Sequence, residues 1–63
     1  MDLDEVIFEF IRHGKFVKVT ALDPQSLIEV AIVGPANAGR TELKTAALNK
    51  LRYVLAKRAE AKD

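Results

Sequence analysis

Between Glu5 and Val33, apolar residues recur at every second position through two interruptions, and the parity switches at each, from even to odd and back to even. Val6, Phe8 and Phe10 fall on one side of an extended chain, Val17, Val19 and Ala21 follow, and Ile28, Val30 and Ile32 complete the series. Side chains of a strand alternate between two faces, so three such runs joined by short loops specify a sheet with one apolar face.

The interruptions have turn chemistry. His13-Gly14 predicts a two-residue hairpin loop in which glycine supplies a positive φ and histidine is among the residues that tolerate one. With Arg12 and Lys15 flanking it, Phe10 faces Val17, Phe8 faces Val19 and Val6 faces Ala21. On the other side Ile11 faces Phe16, Ile7 faces Thr20, and Glu9 faces Lys18 as an opposite-charge pair. Asp23-Pro24-Gln25-Ser26 predicts a four-residue loop, with Pro24 presetting φ and Asp23 able to bond the backbone beyond it. That loop pairs Leu22 with Leu27 and sets Ile28, Val30 and Ile32 beside Ala21, Val19 and Val17. The two turns together give an antiparallel meander in the order 1-2-3.

From Arg40 to Ala59 the period lengthens to that of a helix, with Leu43, Ala47, Leu51, Val54 and Leu55 in one stripe and Leu48 at its edge. The apolar sheet face is the available partner for that stripe. The expected fold is therefore α+β, one domain spanning residues 1–63. It has strands at about 5–12, 16–23 and 27–33, a helix at about 40–59 packed on one sheet face, and a frayed tail at about 59–63.

Such a chain is near the lower size limit for folding on a core alone. It has no cysteine and one histidine, which removes disulfides, thiolate catalysis and the usual zinc ligand sets. No apolar run approaches the roughly 20 residues of a membrane span, and the acidic start lacks the basic region of a signal peptide. A cytoplasmic location follows as the expectation. Residues 1–39 carry three Lys/Arg against six Asp/Glu, and residues 40–63 carry seven against three. This asymmetry belongs either to a solvated helix face complementing the helix C-terminus or to a nucleic-acid surface.

"GPANAGRT", Gly34 to Thr41, is one substitution from the phosphate-loop pattern G-x-x-x-x-G-K-[ST] and lies between a strand and a helix. Arg40 stands where lysine is needed, and a planar fork does not replace a compact ammonium in a tight nest of amides. Phosphate-loop hydrolases are also parallel sheets with a further acidic strand for the metal. The stretch reads better as a strand-to-helix connection, Gly34-Pro35 ending the strand and Gly39 admitting the helix. No nucleotide is expected there; a weak anion contact at the amides of 40–42 is the residual reading.

No catalytic constellation is visible. His13 has no nucleophile or second histidine near it in sequence and fits a turn residue. Glu5 and Glu9 on one strand lie roughly 13 Å apart, too far for paired acid/base work. No catalytic, cofactor or metal residue is assigned. The second sheet face is the more informative feature: Ile7, Ile11, Phe16, Leu22, Ala31 and Val33 alternate there with Glu5, Glu9, Lys18, Thr20 and Glu29. Ile11, Phe16 and Val33 should be contiguous, as in an interface, so Ile7, Ile11, Phe16, Leu22 and Val33 are the candidate protein-binding residues, for a second copy or another protein. Tyr53 falls on the helix's outer flank, expected at a partly buried edge. With Lys50, Arg52 and Lys57 it forms the candidate nucleic-acid contact.

The element order β-β-β-α is similar to that of DNA-binding modules in which a three-stranded sheet enters the major groove. Glu5, Glu9 and Glu29 on the open face oppose that use. "EVIFEF", "FVKVTALDP", "EVAIVG" and "ELKTAALNKLRYVLAK" resemble a small uncharacterised family of alphaproteobacterial proteins over nearly the whole chain. The resemblance implies a bacterial origin and carries no assigned activity, cofactor or site.

Overall fold

The computed structural model describes residues 5–61. Three antiparallel strands, β1 (Ile7–His13), β2 (Phe16–Asp23) and β3 (Ile28–Pro35), form a sheet in the order β1-β2-β3, and α1 (Arg40–Ala61) crosses one face. The α+β meander expected from the alternating pattern is the observed fold.

Both hairpins differ from the expected register by two residues. Gly14-Lys15, with Gly14 at φ 60°, forms the first loop, so His13 pairs with Phe16, Phe10 with Val19 and Phe8 with Ala21. A type II′ turn places its positive φ on the first central residue, where glycine is suited and histidine is not. Arg12 Nε donates to Gly14 O at 2.9 Å and closes the loop from the side. In the second hairpin Asp23 pairs with Ile28, Ala21 with Val30 and Val19 with Ile32. Here Asp23 Oδ2 accepts from Ser26 Oγ at 2.8 Å, Oδ1 accepts from Gln25 N at 3.2 Å, and Ser26 Oγ accepts from Ile28 N at 3.2 Å. The Ser26 hydroxyl thus links the two residues that close the loop. Leu27 takes φ 62° and donates its N–H to Asp23 O at 2.8 Å, which is why β3 begins at residue 28 rather than 27. A slip of two keeps every side chain on its face, whereas a slip of one would invert them.

The core joins Val19, Ala21 and Val30 of the sheet to Leu43, Ala47 and Leu51 of the helix. Each fully buried aliphatic side chain contributes about 1.5–3 kcal/mol. The helix sits over β2 and β3. Phe8, Phe10, Val17, Ile28, Ile32, Val54 and Leu55 pack around this centre, half-buried. Of the stretch expected to fray, 59–63, residues up to Ala61 are helical, as suits the strong helix formers Ala59, Glu60 and Ala61, and residues 62–63 lie outside the described residues. The first strand begins at Ile7 rather than Glu5, and β3 extends to Pro35 because Ala36 N donates to Lys15 O at 2.8 Å and prolongs the ladder.

Candidate functional site

Odd residues of β1 and β3 and even residues of β2 make the face opposite the helix. Its rows run Ile7–Leu22–Glu29, Glu9–Thr20–Ala31, Ile11–Lys18–Val33 and His13–Phe16–Pro35. Phe16 is 59% exposed, Val33 67%, Ile7 54% and Ile11 39%, while Leu22 is half-buried. Lys18 stands between Ile11 and Val33, so Phe16 meets them diagonally and not as the cross-strand partner of Ile11. The same shift sets Glu9 opposite Thr20, and the expected Glu9–Lys18 pair is absent. Among the described residues the ion pair found is Lys57–Glu60, 3.6 Å, on the exposed helix.

The helix candidates are scattered in use. Lys50 Nζ donates to Ala31 O at 2.8 Å. Tyr53 is 63% exposed, not at a half-buried edge, because two residues beyond Leu51 a helix has turned by about 200°. Lys57 Nζ lies 5.8 Å from the centre of its ring. Arg52 is exposed.

The glycine-rich stretch is used for packing. Gly34 is buried within β3, and a β-carbon there would run into Leu43 Cδ2. The Ala36 amide is spent on Lys15 O, the Ala38 amide donates to Pro35 O at 3.0 Å, and Leu43 N donates to Gly39 O at 3.0 Å as the helix begins. Arg40 folds back over the sheet, its guanidinium carbon 4.0 Å from the centre of the Phe10 ring.

Lys44 Nζ likewise lies 5.0 Å above Phe8. Four residues of helix advance about 6 Å and two of strand about 6.6 Å, so Arg40 and Lys44 match Phe10 and Phe8 in step. This pairing was missed from sequence. Its signal is the i, i+4 cation pair on the flank of the apolar stripe, legible only once the helix direction over β1 is known.

Among the described residues Asp23 is the one group whose acidity is clearly altered: the Ser26 hydroxyl above all, with the Gln25 amide, holds its carboxyl below the usual carboxylate range, while burial pushes the other way. No group of three or more His, Cys, Asp or Glu side chains able to hold a metal occurs among the described residues. No helix among them is long and apolar enough to cross a membrane.

No curated protein and no solved structure matches the chain. Residues 3–58 match a family model described as a domain of unknown function (DUF6898), and the chain belongs to that family.

Proposed function

We propose that the protein is a non-enzymatic interaction module of the alphaproteobacterial cytoplasm that buries its open sheet face against a second copy or another protein. One observation carries the reading: Ile7, Ile11, Phe16 and Val33 are all large, apolar and exposed on a single face. The helix, the one layer available to cover the sheet, lies on the opposite side. Scattered exposed apolar residues need no partner, but four on one face do. Phe16→Glu tests it: sedimentation equilibrium should show loss of self-association with an unchanged amide NMR spectrum away from the site. A variant that assembles as the parent does removes this face from consideration.

A second reading, nucleic-acid contact by the helix, is favoured by Tyr53, whose exposed ring lies beside Lys57 in the manner of a stacking platform. Lys50, Arg52 and Lys57 would meet phosphate. Lys50 would first have to leave Ala31 O. Fluorescence anisotropy with labelled single- and double-stranded DNA tests it; binding that does not weaken as salt rises would reject it.

A further inference from the structure

The two edges of the sheet are finished differently. Ala36 N donates to Lys15 O across the β2–β3 ladder, and in antiparallel pairing this makes every second pair from there a hydrogen-bonded one. Val17–Gly34, Val19–Ile32, Ala21–Val30 and Asp23–Ile28 are therefore bonded, and the groups of Glu29, Ala31, Val33 and Pro35 point outward. Pro35 has no N–H to offer, and Lys50 occupies Ala31 O. Proline and lysine at an edge both discourage a further strand.

Following the same alternation through β2, its even residues bond to Ile7, Glu9, Ile11 and His13, which leaves the N–H and C=O groups of Phe8, Phe10 and Arg12 pointing away from the sheet. Among the described residues nothing engages them. The side chains above this edge are cationic: Arg40 over Phe10, Lys44 over Phe8, and Arg12 itself. The two arginines are held in place before any ligand arrives, Arg40 by the ring and Arg12 by its Nε bond to Gly14 O. The terminal nitrogens of Arg12 keep their donors. A cavity of about 310 Å³ lies between them, lined by Phe10, Arg12, Val17, Ala36, Arg40 and Leu43 and by no carboxylate.

We propose that the β1 edge is a docking site for an extended acidic peptide segment, which adds as a fourth strand and sets alternate carboxylates on the helix side against Arg12, Arg40 and Lys44. Backbone groups of Phe8, Phe10 and Arg12 supply the ladder, and the cations supply selection. Residues between the acidic ones fall on the open face beside Ile7 and Ile11, so β-branched side chains suit those places. A second copy of β1 fits worse. Antiparallel self-pairing centred on Phe10 places Arg12 of each copy opposite Phe8 of the other, beneath Lys44, and gathers like charges without a counter-ion. The site touches the open sheet face only at Ile7 and Ile11 and does not depend on that face's association.

The probe is a blocked heptapeptide alternating glutamate and valine, titrated into the ¹⁵N-labelled full chain with amide exchange recorded by NMR. The amides of Phe8, Phe10 and Arg12 should exchange at least about tenfold more slowly when it is bound. Arg40→Glu should weaken binding by about tenfold or more; Phe16→Glu should leave it unchanged, which separates this site from the open face. The proposal is overturned if millimolar peptide leaves those three amides unprotected, or if the same peptide with lysine for glutamate binds as well. It is equally overturned if oligothymidylate binds Arg12, Arg40 and Lys44 more tightly than the peptide, or if the amides are already protected in a dimer of the free protein.

Discussion

A methyl carbon of Leu43 fills the space that a β-carbon on Gly34 would need. The Leu43 side chain therefore lies directly on the β3 backbone in a position that glycine alone leaves open. Gly34→Ala should destabilise the fold by about 0.5–1.5 kcal/mol, the cost of turning the Leu43 side chain off its rotamer. Gly39, which has open space around its α-carbon and an ordinary φ, provides the contrast: Gly39→Ser should be neutral or stabilising by a few tenths of a kcal/mol, since serine caps a helix start at least as well. Urea denaturation of both variants checks the pair, and equal losses would mean that Leu43 repacks.

Leu27 holds a left-handed conformation with its side chain 76% exposed. The conformation costs a non-glycine residue about 1–2 kcal/mol, and little burial offsets it. Leu27→Gly, after the greater chain entropy of glycine is deducted, should stabilise by roughly 0.5–1 kcal/mol. That appears as a rise of a few degrees in the thermal midpoint. A fall would show that the leucine makes a contact worth more than the strain.

The lowered pKa of Asp23 gives stability a direction with pH. A carboxyl whose folded value lies below its ordinary value, 3.8, stabilises the fold above that pH, and the contribution fades as pH falls through the folded value. Ser26→Ala removes the largest cause, so the Asp23 carboxyl should titrate at higher pH, followed by ¹³C NMR, and acid unfolding should begin at higher pH. An unmoved titration would assign the shift to the backbone amides of Gln25 and Ser26 instead.

Lys50→Met removes the donor to Ala31 O while keeping an unbranched side chain. A single exposed hydrogen bond of this kind is worth about 0.5–1 kcal/mol in urea unfolding. The larger consequence should be association that grows with concentration, because the outward groups of β3 lose their guard. A variant as soluble and as monodisperse as the parent would leave Pro35 as the sole guard of that edge.

The sequence made the sheet legible because parity is a coarse quantity. Val6 to Ile32 keep their alternation under any even slip, so the apolar face could be read correctly while both registers were displaced by two residues. Each loop lies one residue later than expected, which shifts the pairing by two, and the exact positions depended on details that compete closely: whether His13 or Lys15 shares the turn with Gly14, and whether Leu27 joins the strand or takes the strained end of the loop. Gly34 could be read as a strand terminator or as half of a phosphate-loop pattern. Its packing role needed the position of Leu43 in space. The exposed face was visible in outline through Ile7, Ile11, Phe16 and Val33, but the intrusion of Lys18 between Ile11 and Val33 followed from register alone. The bond from Lys50 to Ala31, spanning nineteen residues, had no local signal.

Sheets with two open edges can extend without limit, each added molecule presenting a fresh edge to the next. Here Lys50 and Pro35 encumber one side, so among the described residues the β1 edge offers the longer uninterrupted row of backbone donors and acceptors. On the docking proposed above, growth past a single added strand is disfavoured at the β3 side, which biases the assembly toward a closed complex rather than a growing fibre.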